Sequence, residues 1–407
     1  MSKFKGIILM HQRKSLEIFI LAMLHFTLHI FQSSLPPIFL LLRTEYDVSF
    51  VQIGLITSVS AITSVLQGVA GFLVDRFGRK RVCGIGMLIY VSAVFGYSVA
   101  SSFWVLLLFV AIAGIGASPF HPATYAMVTE RAHESQVGRS VGVHQFGGFI
   151  GTAMGTALIA YLSTVIGWRE TFRILPSFGI IVVILFWLFV KEEDNIGKNY
   201  QEKNNEAEMI NGNVEEEFEF RITPQLMIIY VSGFMSSLGS GTSNFIPTFL
   251  SQVYGQSIGT AGIQTSLMLF VGCVSLLAGG IVADRYDKIH IISFFTAMYA
   301  VCMIVFSNGL YSPVILLLVL AVTGFFRDFQ APTRHAMTAL ASSKAGRGRA
   351  IGIEFGVIAL AGTFAGPLLG YLLDQYGIRM AFNSLTIFLF LSSGIILLLK
   401  RWNNWMK

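Results

Sequence analysis

Apolar residues come in long runs along this chain, and polar residues break the runs at short, regular intervals. About twelve runs are long enough to cross roughly 30 Å of hydrocarbon as helices. They fall near 16–42, 49–74, 82–101, 104–129, 138–164, 168–191, 223–251, 258–283, 288–308, 311–341, 347–376 and 378–400. The pattern predicts an all-α integral membrane protein with twelve transmembrane helices. Composition agrees: of 407 residues, 54% are hydrophobic and 12% charged, against about 25% charged in soluble domains. A soluble globule with one core is excluded, and the apolar surface requires a lipid bilayer.

The placement of charge gives the orientation. Lys3, Lys5, Arg13, Lys14, the cluster Arg76–Arg81, Arg131, Arg139, Arg285, Lys288, Lys344, Arg347, Arg349, Lys400, Arg401 and Lys407 fall on one side. Arg43, Arg169, Arg173 and Arg379 fall on the other. The positive-inside rule then puts both termini in the cytoplasm of a cell (inner) membrane. Loop charge accounts for the net charge of +6, so no nucleic-acid partner is expected. Cys83, Cys273 and Cys302 are scattered in or beside spans and read as small packing residues, not as a disulfide set. The first span has no cleavage site after it and is expected to be retained.

Positions 191–221 break the apolar pattern, carrying ten of the 22 acidic residues. They predict a solvated linker. The expected organisation is an N-terminal six-helix bundle over 1–190, a cytoplasmic acidic linker over 191–222 and a C-terminal six-helix bundle over 223–407. Identities recur across the linker at an offset of about 210: Ser33, Pro37 and Phe39 with Ser243, Pro247 and Phe249; Gly114 and Pro122 with Gly324 and Pro332; Gly167, Arg169 and Phe172 with Gly377, Arg379 and Phe382. Two parallel repeats imply a binding site between the bundles, which are related by a pseudo-two-fold axis.

Two copies of a charged inter-helix turn reinforce the repeat: Gly71-Phe-Leu-Val-Asp75-Arg76-Phe-Gly78-Arg79-Lys80-Arg81 and the weaker Gly280-Ile-Val-Ala-Asp284-Arg285-Tyr-Asp287-Lys288. The first copy resembles the signature loop between the second and third helices of the major facilitator superfamily, and the likeness extends over the whole chain. The resemblance implies a conformational latch made of Gly71, Asp75, Arg76, Gly78, Arg79 and Lys80. In that reading Gly71 allows close helix approach and Asp75 caps or pairs at a helix end. Within the superfamily, the first half is similar to the fosmidomycin-resistance type of exporter. That likeness is carried by His25-Phe26 with Gln32-Ser33 and Leu35-Pro36, by 49–57, by Gly114 to Pro122, and by Gln145 to Gly155. Where members usually carry an acid four residues after the first-helix His, this chain has His29, and Ala123 stands where Glu is common.

Ionisable groups inside hydrocarbon cost at least ~2.5–3.5 kcal/mol each and so need partners or a wet cavity. Arg327, Asp328, Arg334 and Glu354 lie well inside second-half spans, while the first half offers His25, His29, His121 and His144. His25, His29 and Gln32 share one helix stripe, as do Arg327, Gln330 and Arg334. The expected substrate-binding set is His25, His29, Gln32, His121, Asn244, Arg327 and Gln330, with Arg327 taking an anionic group in its guanidinium fork. Asp328, about 100° around the helix, is expected to be a poor partner for Arg327. Arg334 and Glu354 match in depth and suit a structural pair. Asp328, Glu354 and His144 are the candidates for carrying the coupling proton. His121, beside Pro122, is expected where a helix ladder breaks. The Gly147, Gly151 and Gly155 face and the Gly362 to Gly370 stretch predict close helix packing.

No catalytic set, phosphate-binding loop or metal-ligand spacing is visible, so no enzyme, cofactor or metal is expected. The expected function is secondary active transport: proton-coupled efflux of a small anionic compound by a monomer using alternating access. One rival is proton-coupled uptake of an organic acid or sugar. Another is a membrane sensor or scaffold on the same fold.

Overall fold

The computed structural model describes residues 2–133, 136–192, 221–283, 285–343 and 347–402. Linker positions 193–220, together with Asp284, Lys344 and Lys407, lie outside the described residues. Every regular element among the described residues is helical. The first bundle holds α1 (Ser2–Gln32), α2 (Phe39–Tyr46), α3 (Phe50–Ser64), α4 (Gln67–Phe77), α5 (Arg79–Tyr97), α6 (Phe103–Ala117), α7 (Phe120–Arg131), α8 (Val137–Val165) and α9 (Trp168–Phe189). The second holds α10 (Pro224–Ser240), α11 (Ile246–Tyr254), α12 (Ile258–Ala283), α13 (Lys288–Asn308), α14 (Pro313–Phe329), α15 (Ala331–Ala341), α16 (Arg347–Tyr376) and α17 (Ile378–Leu397).

Among the described residues, nine helical stretches are long and apolar enough to cross a membrane, and the pair α3–α4, bent by 43°, adds a tenth. Helix α5, which opens on three consecutive basic residues, and the broken pair α10–α11 stand where the sequence places the third and seventh of the twelve spans. Local chemistry sets the helix starts. Ser49 and Gln52 form a capping box on α3, Ser102 caps α6, and Thr223 caps α10 ahead of Pro224. The fourth span breaks at Ser118–Pro119, two residues before His121, and its counterpart breaks at Gln330, ahead of Pro332. The break therefore precedes the position expected from Pro122 alone.

The 210-residue repeat is visible in three dimensions. Arg169 donates from Nη1 to the Ser98 carbonyl (2.9 Å) and from Nη2 to that of Ala100 (2.9 Å). Arg379 donates from Nη1 to the Ser307 carbonyl (2.6 Å). Tyr46 and Tyr254 bond the carbonyls of Ala100 and Gly309 in the same two places. Gly167 and Gly377, at φ +86° and +77°, turn the chain into α9 and α17 with backbone angles that a side chain would strain. The short loops at this end of each bundle are thus held by a repeated arginine–tyrosine clamp.

Small residues decide how the bundles meet. Within the first bundle α8 lies directly on α1: β-carbons at Gly147, Gly151 and Gly155 would strike the carbonyls of Ala22, Phe26 and Ile30. Between bundles, α3 packs on α16 and α8 on α12. Gly54 abuts Gly366, Gly370 abuts Phe50, and Gly262 abuts Ala160. Ser58 donates to the Thr363 carbonyl (2.6 Å), Ser266 to that of Ala153, and the Asp374 carboxylate accepts from the backbone N–H groups of Phe50 and Val51 (3.1 Å each). All these inter-bundle contacts lie on the half of each span remote from the Arg76–Arg81 end, which we term the basic end. Toward the basic end, Gly138, Gly142, Gly348, Gly352 and Gly356 face open space. The bundles are therefore closed against each other at one end only.

Overpacking a close backbone contact costs about 1–3 kcal/mol. Gly366→Leu is expected to lower the melting temperature of the purified protein in detergent, because its side chain meets Gly54 and Thr57. Gly280→Leu, at a position with open space, is the control. Equal effects from the two would contradict the inter-bundle contact.

Candidate functional site

Two contiguous cavities lie between the bundles near mid-span. One, of about 310 Å³, is lined by His29, Gln32, Thr152, Asn244, Thr265 and Arg327. The other, of about 290 Å³, adds Thr57, Tyr90 and His121. Gln32, Pro36 and Asn244 line both. Five of the residues singled out from sequence (His29, Gln32, His121, Asn244 and Arg327) thus face common space, with contributions from both bundles.

Gln330 is not among the lining residues. The helix ends at Phe329 and restarts at Ala331, so the stripe of Arg327, Gln330 and Arg334 splits at its middle member. Gln330 Oε1 instead accepts from Arg334 Nε (3.2 Å).

Arg327 also departs from expectation. Its Nε bonds the carboxylate of Asp328 at 3.0 Å. The angle around the helix is overcome by the length of the arginine side chain, and by an Asp328 carboxylate held near α12 where Gly272 leaves room. Both side chains keep partial access, at 23% and 20% exposure, and Arg327 Nη1 has no hydrogen-bond partner. Nε is therefore paired, whereas Nη1 is buried without a partner.

The expected Arg334–Glu354 pair does not form. Arg334, 3% exposed, donates from Nη1 to Ser232 Oγ (3.0 Å). Glu354, 1% exposed, bonds His335 Nδ1 (3.1 Å), and its Oε2 has no hydrogen-bond partner. Matching depth brought the two groups close enough for Glu354 to act on Arg334 through its charge, but each takes its hydrogen bonds elsewhere, and Arg334 Nη2 is left without a partner. The repeat gives this pocket a counterpart. Positions 124 and 144 of the first bundle correspond to 334 and 354, and there Thr124 Oγ1 contacts His144 Nε2 at 3.2 Å. A neutral pair in one bundle occupies the place of a charged arrangement in the other.

The first-bundle histidines gather around α1. The ring centroid of His25 lies 4.7 Å from that of His29, 5.3 Å from His121 and 4.3 Å from His144. His25 Nδ1 bonds the His144 carbonyl (2.8 Å), and His29 Nδ1 bonds Thr152 Oγ1 (3.0 Å). Thr152 was missed by sequence reading; its only signal is its place inside the glycine-rich face of α8.

At the basic end, the residues expected to form a latch surround the turn from α4 to α5, where Gly78 adopts φ +97°. Asp75 is exposed and is not the cap. Glu192, 112 positions further on, accepts from the backbone N–H groups of Lys80 (3.0 Å) and Arg81 (3.2 Å). Lys80 Nζ donates to the Trp187 carbonyl, and Arg79 pairs with Glu130. A β-carbon at Gly71 would stand 3.8 Å from Pro122 Cβ, an ordinary contact and not a close approach. Beside this turn Arg131 Nε bonds the buried Glu17 (2.6 Å). In the second bundle Asp287 stands at the cap position itself and bonds Ile289 N–H (2.7 Å). Partial burial pushes its carboxyl up, but the N–H groups of His290 and Ile289 outweigh that and hold it below the usual carboxylate range.

A cavity walled by two repeated bundles and closed at one end is the architecture of a membrane transporter. The chain belongs to the Major Facilitator Superfamily, whose model matches residues 21–309 and 229–404. It is 27% identical over 267 residues to the fosmidomycin resistance protein of Escherichia coli, a match spanning 64% of this chain and 63% of that one. It is 25% identical over 376 residues to a D-galactonate transporter of Escherichia coli, covering 84% of each. A bacterial homologue of the human lysosomal transporter Spinster, solved inward-facing and unoccupied, shares the fold with a TM-score of 0.79 and 17% identity over 96% of this chain and 97% of that chain.

A charged cap contributes about 0.5–2 kcal/mol. Glu192→Gln is therefore expected to lower the melting temperature by more than Asp75→Asn does. The reverse order would return the capping role to Asp75.

Proposed function

We propose that this chain is a secondary active transporter that binds a small anion at Arg327 and couples its movement to protons. The observation that carries this reading is the incompletely paired, part-exposed guanidinium of Arg327 at the wall of a cavity lined from both bundles by His29, Gln32 and Asn244. His25 and His121 extend that site on the first-bundle side. Asp328 engages Arg327 through Nε alone, and the rest of the fork keeps N–H donors suited to a second oxyanion. With the basic end in the cytoplasm, the closed end faces outward and the cavity is reached from inside. The name of the D-galactonate relative, a sugar acid, accords with an anionic substrate.

Asp328 is the proposed proton carrier, with Glu354 and His144 as the other buried candidates. An anion on Arg327 would share one cation with the Asp328 carboxylate. Two negative charges on one guanidinium in a low-dielectric site are unfavourable, and proton uptake by Asp328 relieves the conflict. Anion and proton then bind together, which favours cotransport. The rival reading is proton-driven export, which rests on the likeness to the fosmidomycin resistance protein.

Proteoliposomes with an imposed pH gradient test both parts. Sugar-acid carboxylates and phosphonates are expected to accumulate on the side toward which protons run; accumulation on the opposite side would establish export by exchange. Arg327→Lys retains charge but loses the fork, and is expected to raise KM for these anions about tenfold, the scale of one charge-assisted hydrogen bond. Asp328→Asn is expected to abolish dependence on the gradient. A variant that still concentrates substrate would move the proton to Glu354 or His144. Flux of no anion at all would leave a sensor or scaffold.

A further inference from the structure

Three of the four clustered histidines border the proposed anion site, but anion binding does not account for how their ring nitrogens converge. One ring nitrogen from each of His25, His29 and His121 lies within 4.8 Å of the others. His25 and His29 stand at i and i+4 on α1, the spacing that puts two imidazoles on one helix face toward a shared ion. His121 comes from the first turn of α7, just beyond the break in the fourth span. The set was invisible as a spacing motif because its third member is ninety-two positions from the second. We propose that His25, His29 and His121 form a binding site for a divalent transition-metal ion of the imidazole-preferring class, of which Zn²⁺ is the type.

The hydrogen bonds around the rings match what such a site requires. A metal-ligating histidine generally donates its other N–H to a carbonyl or similar acceptor, which fixes the ring and its tautomer. The His144 carbonyl can only accept, so His25 Nδ1 carries the hydrogen in their 2.8 Å bond. Thr152 Oγ1 donates its own hydrogen to the Gly148 carbonyl (3.2 Å), so it accepts from His29 Nδ1. Both rings therefore turn an Nε2 lone pair away from these bonds. His25, only 2% exposed, leaves its Nε2 without any hydrogen-bond partner. A buried, unpartnered acceptor is costly in a low-dielectric interior, and a bound cation satisfies it.

Access and plasticity complete the argument. Three imidazoles plus one open position is a familiar Zn²⁺ arrangement, with Zn–N distances of about 2.0–2.1 Å. Reaching it needs the nitrogens to close in by on the order of 1 Å, which rotamer adjustment of His29 and His121 can supply. Those two rings are half-buried and line the two cavities, so an ion can enter from either and the open position faces them. His25 is the fixed member. Its ring lies against α8 where a β-carbon at Gly148 would press within 2.7 Å of Nε2. None of the three cysteines belongs to the set.

The test uses the purified full-length protein, with any affinity tag removed, and the metal alone. Equilibrium dialysis against Zn²⁺ is expected to give one ion per chain. Co²⁺ is expected to give the intense visible bands of a four-coordinate, nitrogen-rich site, bleached by Zn²⁺. His29→Gln and His121→Gln should each weaken binding at least tenfold. Thr152→Val, which removes only the outer hydrogen bond, should weaken it by about tenfold or more. His290→Gln, at an exposed position of the second bundle, should keep the affinity. The wild-type measurements depend on no variant folding. Absence of stoichiometric Zn²⁺ together with absence of a four-coordinate Co²⁺ spectrum would overturn the proposal. So would binding that persists undiminished in the His29→Gln/His121→Gln double variant.

Discussion

Hydrocarbon supplies no hydrogen bonds, so every polar group that enters it must bring its own partner or share a wet cavity. The structure follows from that constraint. Backbone groups are satisfied by helices throughout the described residues, and where a helix breaks, the break lies beside the cavity or at a bundle end. Side chains obey the same rule in two ways. Arg131 with Glu17, and Arg169 with Glu45, are paired structurally near the ends of spans. Arg327, Asp328 and the histidines are only partly satisfied, and they lie where the two bundles leave space. What separates the site from the scaffold is that its partly satisfied groups border space between the bundles, whereas Arg334 and Glu354 are buried within one bundle.

Small residues provide the complementary device. Without a hydrophobic driving force between helices in lipid, association depends on close backbone approach. Glycines of α8 bring α1 near enough for the His144 carbonyl and the Thr152 hydroxyl to reach His25 and His29. Glycines of α16 and α3 seal the bundles at the end remote from the basic loops. There Asp374 of one bundle caps α3 of the other, so a charge from the second repeat completes a helix of the first. The side-chain hydrogen bonds across this seam come from Ser58, Ser266 and Asp374. That is compatible with bundles that rock about a central site.

The internal repeat shows how duplication and specialisation divide the work. The arginine–tyrosine clamps are preserved in both bundles, because loop carbonyls need donors in each. Caps on the helix after the charged turn differ. Asp287 performs locally what Glu192 performs from 112 positions away. At mid-span the bundles diverge fully, with Thr124 and His144 facing one way and Arg334 and Glu354 the other. Identical scaffolding thus carries unlike chemistry on its two inner faces.

Sequence by itself determined the class of fold, because apolar run length and the absence of charge are properties of local segments. The offset of about 210 exposed the duplication, since glycine, proline and arginine recur only where backbone geometry repeats. It also marked His25, His29, His121, Asn244 and Arg327, because polar residues in apolar runs are conspicuous. Tertiary structure alone decided partners. Arg327 reached Asp328 through side-chain length, Arg334 and Glu354 took their hydrogen bonds elsewhere, and Gln330 left the stripe at a helix break. Glu192, Asp374 and Thr152 carried no local signal, since each acts on residues more than a hundred positions away in the chain. Segment hydropathy is additive along a sequence, whereas hydrogen-bond partners depend on which helices lie side by side within a few ångströms, and only the packed bundle sets that.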